Sequence, residues 1–266
     1  LIDKENLLYK YTNEIHANEI VLLAYYIASI NIEETFHSLA ARENIIAEDT
    51  YVPFNGIVLT DTFEMAGERT LMSELFGDNS ERVNKQNKSP IFVIMGNPPY
   101  FAKRDSENDA YSRVSYPKID ARISETYAKY STAQNKNNLY DSYIRAIRWS
   151  TDRIGKRGII GFVTNGNFID GLTADGLRKS LYEEFTSIYI FNLRGNARTI
   201  GKVRQKEGGG VFGEGSQTPV AITLLIKNPD KSDCCINYYD VGDYLTRDDK
   251  LKSVEKQKSF FYMKND

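Results

Sequence analysis

The apolar positions of this chain fall into short runs separated by longer polar stretches. Several runs have the length and the β-branched or aromatic content of strands: Ile57-Val58-Leu59-Thr60, Ile91-Phe92-Val93-Ile94-Met95, Ile159 to Val163, Ile188 to Asn192 and Val220 to Ile226. The run Ile91 to Met95 reads as a buried strand. A smaller strand is predicted at Cys235 to Tyr239, and a first strand at Leu7 to Ile15, closing on Asn13-Glu14-Ile15. Other segments repeat at helical spacing. Asn18 is a candidate cap for a helix whose apolar face holds Val21, Leu22, Ala24, Tyr25, Ala28 and Ile32. Short amphipathic helices are predicted at Ile119 to Tyr130 and Ala174 to Glu184. A longer one runs from Asn138 to Ile154, with Leu139, Tyr143, Ile147 and Ile154 on one side and Gly155 at its end. Asp78 to Ser89 reads as a charged and polar surface loop, and Arg194 to Gln217 is a basic, glycine-rich stretch.

Alternating strands and helices imply an α/β sandwich with a mostly parallel sheet. The strands Ile188–Asn192 and Val220–Ile226 are joined without a predicted helix, so the sheet is expected to end in an antiparallel hairpin. The expected division is a main domain over residues 1–228 and a C-terminal extension over 229–266.

Composition narrows the function classes. With 266 residues the chain can bury a full core. Its formal net charge of -2 means that any nucleic-acid contact must be local or must rely on parts outside this sequence. The two cysteines, Cys234 and Cys235, are adjacent and suit neither a disulfide framework nor a zinc site, and two histidines argue against a multi-histidine metal centre. No apolar run is long enough for a bilayer and no signal peptide stands out, so a reduced, cytoplasmic setting is expected, with no membrane partner. The chain begins on Leu1 and reads as a piece of a longer protein.

The densest chemistry follows the strand Ile91–Met95. Gly96-Asn97-Pro98-Pro99-Tyr100 leaves the sheet as a stiff extended loop, because the prolines cannot donate to a ladder and restrict the residues before them. Ligands of open α/β sheets bind at such carboxyl ends. An exocyclic amine of adenine is a poor nucleophile until its nitrogen pyramidalises. The Asn97 side-chain carbonyl and the Pro98 backbone carbonyl can accept its two hydrogens, held still by Pro98 and Pro99. Tyr100 can stack on a base, a contact worth roughly 1–3 kcal/mol.

Asn97-Pro98-Pro99-Tyr100 resembles the catalytic motif of amino-group methyltransferases that use S-adenosylmethionine. Longer stretches sharpen the likeness: Asn18-Glu19-Ile20-Val21-Leu22-Leu23-Ala24-Tyr25-Tyr26-Ile27-Ala28, Phe191-Asn192-Leu193-Arg194-Gly195-Asn196, and Gly209 through Thr218-Pro219-Val220-Ala221-Ile222. Together they resemble the adenine methyltransferase segment of single-polypeptide, ATP-dependent (type ISP) restriction-modification enzymes, to about Leu245. The resemblance implies S-adenosylmethionine as cofactor and duplex DNA with a flipped adenine as substrate. It also implies nuclease, helicase and target-recognition domains in the same parent chain, and makes residues 1–228 a partial catalytic domain.

The resemblance also nominates cofactor residues. Glu14, after the first predicted strand, takes the ribose position. Asp61, after the strand Ile57–Thr60, takes the cofactor's adenine amine, with Phe63, or as the alternative Thr62, beside the ring. The family's first strand and glycine-rich cofactor loop have no counterpart, since no glycine precedes Glu14, and the cut is expected between that loop and the ribose position. Arg194, Arg198, Lys202, Arg204 and Lys206 form a basic run expected to contact phosphates, with Lys103, Arg104 and Arg113 as further candidates. The expected function is transfer of a methyl group to adenine in DNA, with this piece alone inactive. Methylation of RNA or of a protein glutamine, and a non-catalytic DNA-binding module, remain the alternatives.

Overall fold

The computed structural model describes residues 4–47, 50–64, 77–99, 115–212, 217–257 and 259. It divides into two compact units, Leu1–Ser89 and Pro90–Asp266. Residues 235–257 fall within the second unit.

The described residues open on a helix, α1 (Lys4–Asn13), where a strand is expected over Leu7 to Ile15. Leu7 and Tyr11 are its buried residues, four apart on one helical side, and Lys10 pairs with Glu14 at 2.7 Å in the same spacing. Tyr11 stacks on Phe36 with ring centroids 3.7 Å apart, and its hydroxyl donates to the Val52 carbonyl. Phe36 belongs to the long helix α2 (Leu22–Arg42). The strands of this unit are β1 (Ala17–Glu19) and β2 (Ile57–Leu59), which pair in parallel with Glu19 opposite Leu59. Asn18 therefore lies in a strand and does not cap α2. Its Oδ1 accepts from Gln86 Nε2 at 2.6 Å.

The polar segment after residue 76 is also helical, α3 (Gly77–Lys88). Its polarity has a structural purpose. Asn79 and Arg82 bond to the backbone of Leu59 and Ile57 along the outer edge of β2.

The second unit holds a five-stranded sheet built from β3 (Val93–Gly96), β4 (Gly158–Asn165), β5 (Ser187–Asn192), β6 (Val220–Lys227) and β7 (Cys235–Asp240), in the order β3-β4-β6-β5-β7. β3 is parallel to β4, β6 is antiparallel to both β4 and β5, and β7 joins β5 in parallel. The α/β class and the antiparallel pairing of β5 with β6 are as the sequence predicts, but the sheet is mixed where a mostly parallel one is expected, and β7, parallel to β5, lies outside the hairpin at the sheet's edge. The burial of β3 is not as expected. Among the described residues β3 is an outer strand, with Val93 61% and Met95 81% exposed. An open apolar strand edge is a template for further pairing.

Helices α4 (Pro117–Ile123), continued by a wider turn to Ala128, α5 (Ser142–Arg153) and α6 (Asp175–Glu184) pack together. Two arginines of α5, one turn apart, clamp them. Arg145 makes a bidentate pair with Asp120 at 2.8 and 3.0 Å, and the buried Arg148 makes one with Glu184 at 2.7 and 2.8 Å. Arg148 also bonds Asp152 and lies over the Tyr127 ring. Burial opposes its charge, but Glu184, with Tyr127 and Asp152, outweighs that and holds its pKa above the ordinary value. The segment after β5 contains a short helix, α7 (Gly201–Glu207), and the C-terminal tail another, α8 (Arg247–Gln257).

Candidate active site

In the first unit, two carboxylates stand at the carboxyl ends of adjacent parallel strands. Glu19 closes β1. Its Oε1 accepts from the backbone N–H groups of Ile20 and Val21 at 2.8 and 2.9 Å, which fixes the side chain where the chain turns into α2. Asp61 follows β2 by two residues, and its Oδ1 accepts from the Phe63 N–H at 2.9 Å. That turn sets Phe63 beside the carboxylate. A carboxylate offers about four lone-pair positions, so such a pair keeps acceptor capacity for hydroxyl and amine donors of a nucleoside.

One expected residue is placed differently. Glu14 does not end a strand. It follows α1, lies exposed, and pairs with Lys10. The strand-end acid is Glu19, in Ala17-Asn18-Glu19. The signal in the sequence was an acid directly before the apolar helical run that starts at Ile20.

In the second unit, β3 ends at Gly96 and delivers Asn97-Pro98-Pro99 directly. Asn97 and Pro99 are exposed and Pro98 is half-buried. Tyr100 lies outside the described residues, as do Lys103, Arg104 and Arg113. The sheet topology decides what shares this end. Because β4 is parallel to β3, and β5 is related to β4 through two antiparallel pairings, all three strands point their carboxyl ends the same way. The loops after β4 and after β5 therefore emerge on the edge that carries Asn97. β4 ends on Asn165, whose side chain accepts from the Asn167 N–H at 2.9 Å, in the tight turn that leads to the buried Phe168.

After β5 comes the basic run, and its members divide. Arg194 adopts a positive φ of 54° and turns its guanidinium inward, bonding Asp240 at 2.7 and 2.9 Å and also Asp243. Lys206 pairs with Asp243 at 3.1 Å, and Arg204 donates to the Gly208 carbonyl at 2.7 Å. These groups hold the loop to the end of β7 and to itself. Arg198 and Lys202 are exposed, and among the described residues neither belongs to an ion pair. Lys250 of α8 is fully buried and donates to the carbonyls of Glu207 and Gly209 at 2.7 and 2.8 Å. Burial lowers its pKa to about 8, against the opposing pull of Glu207.

Among the described residues no helix is long and apolar enough to cross a membrane, and no cluster of metal-ligating side chains occurs.

The comparisons with known proteins point one way. The structure of a nuclease-deletion mutant of the Type ISP restriction-modification enzyme LlaGI, in complex with a DNA substrate mimic, is 47% identical with a TM-score of 0.92, covering 100% of this chain and 21% of that one. The ATP-dependent Type ISP enzyme LlaBIII bound to DNA is 49% identical with a TM-score of 0.88, covering 96% of this chain and 16% of that one. The DrdV–DNA complex is 41% identical with a TM-score of 0.83, covering 96% of this chain and 24% of that one. The chain thus spans a quarter or less of the length of these proteins. No curated protein sequence matches. The Eco57I restriction-modification methylase family matches residues 6–199, and the chain belongs to that family.

Proposed function

We propose that this chain is the methyltransferase module of a restriction-modification enzyme and directs a methyl group to the exocyclic amine of adenine in duplex DNA. The observation that carries the reading is the delivery of Asn97-Pro98-Pro99 from the end of β3, on the edge where the basic loop after β5 also emerges.

The donor set of the first unit fits S-adenosylmethionine: Glu19 would accept from the ribose hydroxyls, Asp61 from the cofactor's adenine amine, and Phe63 would lie beside the ring. The cofactor, when bound, supplies an electrophilic methyl group. The protein's own work is on the target base. Asn97 Oδ1 and the Pro98 carbonyl accept the two amine hydrogens and favour the pyramidal nitrogen, while the proline pair keeps both oxygens from reorganising. Once methylated, the nitrogen carries positive charge and sheds a proton readily, so no strong base is needed at the site. Tyr100 is proposed to stack on the flipped base. The open edge of β3 is a place for a further strand, and with it a glycine-rich loop, to pair.

The deciding experiment is radiolabelled methyl transfer by the full-length protein that carries this chain, on duplex DNA, RNA and protein substrates, followed by digestion. Label in N6-methyladenine of DNA that vanishes with Asn97→Ala supports the reading. Label in cytosine, in RNA or in glutamine overturns it.

A further inference from the structure

We propose that Ile200 is an apolar wedge that enters the DNA base stack as the target adenine leaves it, with Arg198 and Lys202 seated on the flanking phosphates; this rests on the functional reading above. Ile200 is 86% exposed at the start of α7, and Val203, on the next turn, is 55% exposed. Among the described residues nothing buries this isoleucine.

The segment that presents Ile200 is held firmly. The Glu207 carboxylate accepts from the N–H groups of Gly195 and Asn196, both at 2.9 Å. Asn196 Oδ1 accepts from the Arg198 N–H at 3.1 Å, Thr199 Oγ1 donates to the Asn196 carbonyl at 2.9 Å, and the Ala197 N–H donates to Gln217 at 3.1 Å. β-Branching leaves the Ile200 side chain few rotamers to lose. A stiff apolar tip is what insertion requires, because the side chain must replace stacking without first being ordered.

Charge identifies the occupant. Arg194, Arg204 and Lys206 are committed to Asp240, Asp243 and Gly208, whereas Arg198 and Lys202, on either side of Ile200, face solvent. Two uncommitted cations around an exposed aliphatic tip complement a polyanion with an apolar interior, which a duplex with an open step is. The topology adds location, since this loop leaves the same sheet end as Asn97. Extruding a base leaves a gap in the stack at a free-energy cost of a few kcal/mol, and an inserted side chain offsets part of it.

The test uses the full-length protein and duplexes carrying its methylation site, with 2-aminopurine at the target position and, separately, adenine for turnover. On matched duplex, Ile200→Ala should reduce the 2-aminopurine fluorescence rise and lower kcat/KM about tenfold. Ile200→Met should remain close to the unaltered protein, because Met refills the gap. Placing an abasic site opposite the target makes extrusion easy, so Ile200→Ala should recover to within about twofold of the unaltered protein on that duplex. Unchanged fluorescence and turnover for Ile200→Ala on matched DNA overturn the inference, as does a defect that persists undiminished opposite the abasic site. In either case methylation by the unaltered protein keeps the functional reading standing. Absence of adenine methylation by the unaltered protein overturns that reading and this inference with it.

Discussion

The side-chain amide of Asn79 brackets the backbone of Leu59: Oδ1 accepts from the Leu59 N–H and Nδ2 donates to the Leu59 carbonyl, each at 2.9 Å. Arg82 continues the pattern one helical turn on, donating to the Ile57 carbonyl at 3.2 Å. A helix here does for β2 what a neighbouring strand would do, and so closes the outer edge of the sheet that carries Asp61.

Asn79→Ala should therefore lower the unfolding free energy by about 1–3 kcal/mol, the cost of leaving buried backbone groups unpaired. Asn79→Asp keeps the acceptor and loses the donor, so it should fall between. Urea unfolding followed by circular dichroism checks the order, and an Asn79→Ala protein as stable as the unaltered one would show that water satisfies the edge.

The two acidic residues near β1 should separate in a cofactor assay. Glu19→Gln retains an acceptor for the Ile20 and Val21 N–H groups but loses the charge, and is expected to weaken S-adenosylmethionine binding on the order of tenfold in the full-length protein. Glu14→Ala should leave it unchanged, since that carboxylate is exposed and paired only within its own helical segment. Calorimetric titration of both variants reads the difference, and the opposite ranking would return the ribose position to Glu14.

Asn97→Ala should lower kcat about a hundred- to a thousandfold while leaving the cofactor's dissociation constant nearly unaltered. The lost acceptor acts as the target amine pyramidalises, so turnover falls more than affinity. A split in the other direction would place Asn97 on the cofactor.

The basic loop should show two kinds of arginine. Arg198→Ala with Lys202→Ala should reduce the slope of log affinity against log salt for DNA by up to about two, one per lost phosphate contact, with little effect on melting temperature. Arg194→Ala should instead lower the melting temperature, because it takes the guanidinium from Asp240 and leaves Asp243 with Lys206 in place of two cations. Identical salt slopes for the double variant and the unaltered protein would make the loop a solvated surface.

Lys250 gives a pH signature. Its folded pKa of about 8 lies below its ordinary value of 10.5, so between those values the unfolded chain binds more protons than the folded one. Stability should then rise with pH across that window, as the burial penalty on the charged amine is relieved. Lys250→Met removes the titration, so the difference in unfolding free energy, unaltered protein minus variant, should grow from pH 8 to pH 10.5. A difference that stays flat or shrinks would mean that the amine is charged throughout.

Local sequence was enough for the elements whose role is to be buried by both faces or by one helical stripe. β2, β4, β5 and β6 lie where the apolar runs place them, and α5 and α6 where the helical spacing does. The Asn97-Pro98-Pro99 exit from β3 follows from proline chemistry, which needs no partner to act. The antiparallel return through β6 was legible in the absence of a predicted crossover helix.

Tertiary structure decided the polar residues, because a polar side chain's role depends on which group lies opposite it. Ala17-Asn18-Glu19 has no apolar run and becomes a strand only by pairing with Ile57–Leu59, so Glu19 could not be seen as the strand-end acid. Leu7 and Tyr11 fit either period until Phe36 supplies a surface that only a helix can meet. α3 reads as a loop because its side chains serve the backbone of β2 and not an apolar core. Among five basic residues of one run, the sequence offers no distinction. The partners Asp240, Asp243 and the Gly208 carbonyl commit three and leave Arg198 and Lys202 to the solvent, because the fold brings β7 beside the end of β5.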